Sequence, residues 1–305
     1  MKKVVLFNKY HNGDIHVSRG FIRQIMNKVA HQIPDASFFY THRNSPYLLS
    51  DIPNLTFDAN LINNINEHDN LVRIDNIVYI NTWYAQQHQK YLRQYGITFD
   101  SLYSAFNDTC KQLWNFSLDE ISTNISEFFP NIEYSKFNVN HIQNWLNSDI
   151  NKKVLIENCY AKSNQSFNLP IASIIAELAK HYTNITFILS NKENIILPSN
   201  VIYADDIIKN SNNNLNEISF ISTYCDLIIG KASGVFTFTL TQENLFRRNT
   251  KYLCFSNLIP NASGKFWIGP LLKDKVNYSA KFTVANVGDI YTMRNLINNS
   301  LRELQ

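Results

Sequence analysis

The stretch Asn8-Lys9-Tyr10-His11-Asn12-Gly13-Asp14-Ile15-His16-Val17-Ser18-Arg19 follows a short apolar run and brings together a carboxylate, two imidazoles and a guanidinium. A carboxylate aimed into a ligand site can take the proton of a hydroxyl while that oxygen attacks an electrophilic carbon. Gly13 allows a tight backbone that would aim Asp14 in this way. The competing reading is that Asp14 caps the helix that follows. His16 and Arg19 read either as substrate contacts or as helix surface, and Arg19 suits an anionic group on an acceptor. His11, Asp14 and His16 are three potential metal ligands, but their spacing matches no metal motif and there is no fourth, so no metal is expected.

A second stretch, Cys225-Asp226-Leu227-Ile228-Ile229-Gly230-Lys231-Ala232-Ser233-Gly234-Val235, runs from an apolar strand into a turn of small residues. Small residues let phosphates approach backbone N–H groups, and a following helix favours negative charge. Lys231 adds a point charge and Ser233 a hydroxyl, so Lys231, Ala232, Ser233, Gly234 and Val235 form a candidate phosphate site. The alternative is an ordinary strand-to-helix turn; the pattern is neither G-x-x-x-x-G-K-[ST] nor G-x-G-x-x-G. The polar loop Asn158 to Asn168 offers Asn158, Lys162, Ser163 and Gln165 to a diphosphate or ribose, or is a solvated loop. Trp83 and Tyr84 can stack on a sugar ring or belong to the core.

The elements that must hold these residues alternate between strand and helix. Val4 to Phe7 and Ser37 to Thr41 read as strands around a helix from Val17 to Ile33, in which Phe21, Ile25, Val29 and Ile33 share a face. Leu55 to Phe57, Leu71 to Ile74 and Ile77 to Ile80 read as strands, the last two joined by a hairpin at Asp75-Asn76. Residues 85–95, 99–114, 117–128 and 138–147 read as helices. A second α/β pattern starts with the strand Lys153 to Glu157 and the helix Leu169 to Tyr182. It continues with strands at Ile185 to Leu189 and Asn200 to Tyr203 and a helix from Glu217 to Tyr224. Then come a strand from Asp226 to Ile229, a helix from Val235 to Phe246, a strand from Tyr252 to Phe255 and a helix over 289–303. This is an α/β chain of two Rossmann-like domains, 1–148 and 149–305, with ligands at the carboxyl ends of the strands.

A length of 305 residues suits two domains. The net charge is +3, with no concentrated basic run, so a dedicated nucleic-acid binder is not expected. Cys110, Cys159, Cys225 and Cys254 form no CxxC pair and read as buried thiols in a reducing compartment. The N-terminal apolar run stops at Phe7, too short for a signal peptide, and no stretch approaches the ~18–20 apolar residues of a membrane span. A soluble, cytoplasmic protein is expected.

Three ordered segments carry a family resemblance. NGDIHVSRGFIRQI resembles the GD-containing loop and helix of ADP-heptose-type glycosyltransferases, the lipopolysaccharide heptosyltransferases. CDLIIGKASGVFTFTL resembles their later strand and DSG or DTG turn, and IEN with LPIASIIAELAKHY resembles the opening of their donor domain. The resemblance implies a GT-B fold, two Rossmann-like domains facing across a cleft that holds the active site. It implies that Asp14 is the general base and that Ala232, Ser233, Gly234 and Val235 bind the donor diphosphate without a metal or cofactor. Two positions depart from the pattern. Ala232 stands where the turn carries an acid, with Lys231 beside it, and Phe167 stands near the place of a lysine that precedes W-P. Lys231 or Lys162 would supply that charge.

The expected activity is therefore an inverting glycosyltransferase. Its donor is a nucleotide-diphosphate sugar bound by Asn158, Lys162 and Lys231 to Val235. Its acceptor is a glycan or glycolipid bound near Gly13, His16, Arg19, Trp83 and Tyr84, and a lipid-linked acceptor would bring peripheral membrane contact. A polysaccharide pyruvyltransferase also has an N-terminal GD loop and paired Rossmann-like domains, but its later basic-histidine motif is not evident after Ile229. A non-catalytic carbohydrate- or nucleotide-binding module is the third reading; Asp14 argues against it.

Overall fold

The computed structural model describes residues 3–9, 11–66, 69–83, 91, 94, 98–160, 166–209, 214–256, 267–269 and 271–305. Lys3–Asn8 (β1) reads KVVLFN, and all but its first residue are buried, as in a strand covered on both faces. The first helix, Asn12–Gln32 (α1), begins earlier than its apolar spacing indicates. His11 is the N-cap, and its backbone N–H donates to Asp14 Oδ2 at 3.1 Å. A carboxylate on the first turn satisfies an amide that has no intrahelical partner and meets the positive end of the helix. Gly13 and Asp14 thus sit on the helix, not in the loop before it.

Ser37–His42 (β2), Leu55–Phe57 (β3), Leu71–Ile74 (β4) and Ile77–Asn81 (β5) complete a sheet of order β3-β2-β1-β5-β4. Every pairing is parallel except the β4–β5 hairpin. Asp75 holds that turn with φ 51°, a conformation aspartate tolerates better than most residues. Phe99–Trp114 (α2) packs against α1, where Phe21 stacks on Phe106 with ring centroids 4.7 Å apart and on Phe128 at 5.4 Å. Most of the expected helix over 85–95 lies outside the described residues. The expected helix over 117–128 is instead two 3-10 turns, Leu118–Glu120 and Ile125–Phe128. Glu120 Oε1 accepts from Ser117 N at 2.8 Å and Asn124 Oδ1 from Ser126 N at 3.2 Å, so polar side chains take local amides that a longer helix would need.

The second sheet contains Lys152–Glu157 (β6), Ile185–Leu189 (β7), Val201–Tyr203 (β8), Leu227–Lys231 (β9), Lys251–Phe255 (β10) and Lys281–Ala285 (β11). Its order is β11-β10-β9-β6-β7-β8, parallel throughout. Read from the β8 edge, this is the dinucleotide-fold order, which reverses between β6 and β9. Asn140–Ser148 (α3) precedes the sheet, and Ile171–Leu178 (α4) follows β6. Ala204–Ile208 (α5), Leu215–Ser222 (α6), Gly234–Phe238 (α7) and Ile290–Arg302 (α8) complete the layers. The core lies between Ile171, Ile174, Ile175 and Leu178 of α4, Val154 and Ile156 of β6, Ile229 of β9, and Met293, Ile297 and Leu301 of α8.

Two sequence expectations change at β9 and after it. The strand continues through Gly230 and Lys231, and the expected helix Val235 to Phe246 shrinks to α7 followed by a wide turn at Glu243–Arg247. The Thr239 carbonyl is taken by the Tyr252 hydroxyl at 2.8 Å and by Asn244 Nδ2 at 2.9 Å, so the next helical turn loses its acceptor. Neither β11 nor α5 stands out in the sequence.

The chain forms two compact units, Met1–Glu133 with Trp267–Asn277, and Tyr134–Phe266 with Tyr278–Gln305. The expected division at residue 148 falls at the end of α3, inside the second unit. Trp267–Asn277 joins the first unit because Phe99 N donates to Trp267 O at 2.8 Å and the buried Asp100 carboxylate accepts from Leu271 N and, at 3.2 Å, from Leu272 N. No described helix is long and apolar enough to cross a membrane.

Candidate functional site

In the first unit the strand order reverses at β1, and the crevice outside the carboxyl ends of β1 and β5 is where an open α/β sheet offers a ligand site. Asn8 ends β1 and donates from Nδ2 to Thr82 Oγ1 at 3.2 Å. Thr82 follows β5, and its hydroxyl also lies 3.3 Å from the hydroxyl of Tyr40 on β2. Ser18 of α1 bonds the same tyrosine. Asp14 stands at the head of α1, beside this buried polar network. Burial pushes its carboxyl from 3.8 up to about 6, and the bond from the His11 amide and the nearby His11 side chain offset only part of that. Asp14 therefore caps α1, and burial also holds its carboxyl closer to neutral pH than an ordinary aspartate.

Arg19 and His16 are completely buried. The Arg19 guanidinium pairs with Asp51 and donates to the Leu48 carbonyl. Asp51 also accepts from Arg23 at 3.0 Å and from the Glu133 amide at 3.1 Å. A buried ion pair with this many hydrogen bonds ties the 46–51 segment to α1. Gly13 is buried on the first turn of α1. Trp83 is partly exposed beyond β5, with its amide donating to Asn81 Oδ1 at 2.9 Å. Tyr84 lies outside the described residues.

In the second unit the reversal lies between β6 and β9, and there Glu157 is paired across the sheet with Gly230. The Glu157 side chain is 1% exposed and Lys231 is 2% exposed. Glu157 Oε2 accepts from Lys231 N at 3.0 Å, Oε1 accepts from Cys159 N at 3.1 Å, and the Ser233 hydroxyl also bonds this carboxylate. Burial raises the Glu157 carboxyl, and these donors with the Lys231 charge offset part of the rise. Lys231 Nζ donates to Asn168 Oδ1 at 3.2 Å. A Cβ at Gly230 would lie 2.6 Å from Glu157 Cβ and 2.9 Å from the Phe236 ring, so a glycine is what allows the glutamate to sit there.

The turn after β9 is partly exposed from Ala232 to Val235. Ala232 N donates to Phe255 O at 3.0 Å, and Ser233 Oγ accepts from Phe236 N at 3.3 Å as the cap of α7. The amides of Ser233, Gly234 and Val235 have no partner among the described residues. Asn158 is used differently from its sequence reading. Its Nδ2 donates to Asn191 O at 2.8 Å and to Glu193 Oε1 at 2.7 Å, and its Oδ1 accepts from Asn191 N at 2.9 Å and Ser190 Oγ at 3.2 Å. An amide can make about four such bonds, so this side chain ties the ends of β6 and β7 together. Lys162, Ser163 and Gln165 lie outside the described residues. Among the described residues, no group of three His, Cys, Asp or Glu side chains is placed to hold a metal ion.

The sequence reading placed Asn8 in its first stretch without a role and missed Tyr40, Thr82, Asp51 and Glu157. Tyr40 lies inside β2 and the others lie at or just beyond the end of an apolar strand or in a short loop, and pairing between distant strands brings most of them to the sites.

No protein-family model matches the chain, and no curated protein matches it in sequence. Solved structures do match. A glycosyl transferase family 9 protein from Veillonella parvula DSM 2008 superposes with a TM-score of 0.51 at 12% identity, over 98% of this chain and 91% of that one. The E. coli heptosyltransferase WaaC with ADP gives 0.51 at 9% identity, over 99% and 97% of the two chains. WaaC with ADP-2-deoxy-2-fluoro heptose gives 0.52 at 10% identity, over 99% and 100%. The fold is that of a GT-B glycosyltransferase. In GT-B terms, the two sheets described above are the two Rossmann-like halves, and each carries its polar cluster at the carboxyl edge, around Asp14 in one and around Glu157 and Lys231 in the other.

Proposed function

We propose that the chain is a glycosyltransferase that moves a sugar from a nucleotide-diphosphate donor to a hydroxyl of a glycan or glycolipid acceptor, with inversion. The observation that carries this is Asp14: a partly buried carboxylate at the carboxyl edge of the first sheet, with its pKa raised to about 6, in a GT-B chain. Such a group is ionised at neutral pH yet basic enough to take a hydroxyl proton as the oxygen attacks the anomeric carbon. Attack on the face opposite the leaving diphosphate gives inversion. Gly13 and Trp83 are the acceptor-side residues in this reading, and His16, completely buried on α1, supports that side from within the fold. Arg19, buried against Asp51, supports that side by fixing α1.

The donor diphosphate meets Lys231 and the amides of Ser233, Gly234 and Val235, with Ala232 leaving room for it. These groups carry the charge that develops on the leaving diphosphate, so transfer is expected to continue in excess EDTA. Loss of activity in EDTA with recovery on adding magnesium or manganese would show that a metal does this work. The ADP bound in WaaC makes ADP the first nucleotide to test. The protein works in the cytoplasm in this reading, with membrane contact only through a lipid-linked acceptor.

The decisive experiment is calorimetric titration of Lys231→Ala with ADP and UDP. A hydrogen bond to a charged group is worth roughly 1.5–3 kcal/mol, so affinity is expected to fall about ten- to a hundredfold. Lys231→Arg, which keeps the charge, should lose less, and Ser233→Ala less than Lys231→Ala because the backbone amides remain. Unchanged affinity in folded Lys231→Ala would move the donor site elsewhere.

A further inference from the structure

A carboxylate is a poor neighbour for a diphosphate, yet Glu157 lies directly behind the Lys231–Ser233 turn. Its burial is compensated on every side. From β9 it meets the Lys231 amide and charge, from the end of β6 the Cys159 amide and the Cys159 thiol, itself raised by burial and by Glu157, and from the turn before α7 the Ser233 hydroxyl. From β10 the neutral thiol of Cys254, raised by burial and by Glu157 itself, faces it. A Cβ at Gly230 would strike both Glu157 and the Phe236 ring, so the glycine leaves room for the Glu157 carboxylate, whose Oε2 would lie 3.3 Å from that Cβ. The mechanism above does not use this residue, and the loop and turn it joins are the two segments assigned to the donor.

We propose that Glu157 is a positioning residue of the diphosphate site: it holds the Lys231–Ser233 turn in place and acts as the counter-charge of Lys231 until the donor diphosphate takes over that role. The inference rests on the reading of this turn as the donor site. Once a diphosphate shares the Lys231 charge, an ionised Glu157 is left buried beside a second anion, with only hydrogen bonds to support it. The lower-energy state is the neutral acid. Donor binding is then accompanied by proton uptake from solvent onto Glu157, whose carboxyl burial already raises. A side chain with only a packing role would leave no such mark.

The test is calorimetric titration of wild type, Glu157→Gln and Lys231→Ala with ADP and UDP between about pH 5 and 8, in buffers of different ionisation heat. The terminal phosphate of the nucleotide titrates equally in all three proteins, so the difference between wild type and Glu157→Gln isolates the glutamate. Wild type is expected to take up more protons than Glu157→Gln, by up to about one per nucleotide. Its affinity is expected to fall more steeply with rising pH, by up to about tenfold per pH unit. Should Glu157→Gln not fold, wild type alone is titrated with ADP-glucose and UDP-glucose, whose diphosphates carry no titrating proton in this range, and uptake is still expected. Equal uptake and parallel pH profiles, or no uptake with the nucleotide sugars, overturn the role of Glu157 while leaving the donor site standing if Lys231→Ala binds weakly. Wild-type affinity in Lys231→Ala overturns the donor site, and this inference with it.

Discussion

Asp14→Asn is expected to slow transfer by about 10²- to 10⁴-fold, the usual contribution of a positioned general base, while ADP affinity stays within about twofold of wild type because Asp14 and Lys231 belong to different units of the chain. The wild-type rate should rise with pH, reach half its maximum at about 6 and level off above that as Asp14 becomes fully ionised. Stability should move in the opposite direction. The folded pKa lies above the ordinary value of 3.8, so the folded state holds the proton more tightly than the unfolded chain does. The neutral form carries no penalty below about pH 4, and the cost of ionising a buried carboxylate is complete above about pH 6. Asparagine keeps an acceptor for the His11 amide but never ionises. Asp14→Asn should therefore match wild type in thermal stability at low pH and exceed it above about pH 6. With solvent screening of a partly exposed group, the gain is on the order of 1–2 kcal/mol. A variant that is inactive and also less stable at neutral pH would mean that Asp14 serves the fold and not the chemistry. Full activity in Asp14→Asn would remove it from the mechanism.

Gly20→Ala is expected to be among the most destabilising single changes in the first unit, although the sequence argues the reverse. A glycine in a helix interior costs up to about 1 kcal/mol relative to alanine, so the substitution ordinarily stabilises. Here the added Cβ would lie 2.2 Å from the Phe128 carbonyl oxygen and 2.5 Å from that of Phe129. Both obstacles are backbone, so no rotamer change relieves them. The 3-10 turn Ile125–Phe128 must lift from α1, and with it Phe128, which stacks on Phe21, and Phe129, whose ring centroid lies 4.1 Å from that of Phe99. Overpacking against backbone beside a stacked aromatic core costs about 1–3 kcal/mol or more. Urea denaturation should show stability lowered by that amount and the midpoint shifted down accordingly, with Gly20→Ser at least as poor. A midpoint equal to or above wild type would show that α1 and the 125–129 segment are not packed this closely in solution.

What the two predictions share is a local rule reversed by contacts distant in sequence. The strands β3, β4 and β7 and the helix α2 have the bounds that their apolar runs indicate, because short-range periodicity and turn chemistry act within each segment. Asp14, Lys231 and the small residues after β9 could be singled out for the same reason: the chemistry of a loop-to-helix junction is written in consecutive residues. Helix ends were less readable. The cap at His11 depends on a side-chain bond, and the early end of α7 depends on the Tyr252 hydroxyl and Asn244 reaching the Thr239 carbonyl.

The sequence by itself determined an α/β chain and two sets of strands, and it singled out two strand-to-helix junctions as candidates for chemistry, since each follows from residues close together in the chain. Only the tertiary structure decided which polar residues stand together. Glu157 meets Lys231 and Ser233 because β6 and β9 are neighbours in the sheet, although they lie far apart in the chain. Tyr40 and Thr82 meet for the same reason on either side of β1. Burial then set what these groups do. It raised the Asp14 carboxyl toward neutrality and turned Arg19, readable as a substrate contact, into the buried partner of Asp51. Desolvation is a property of the packed fold, and no window of sequence contains it.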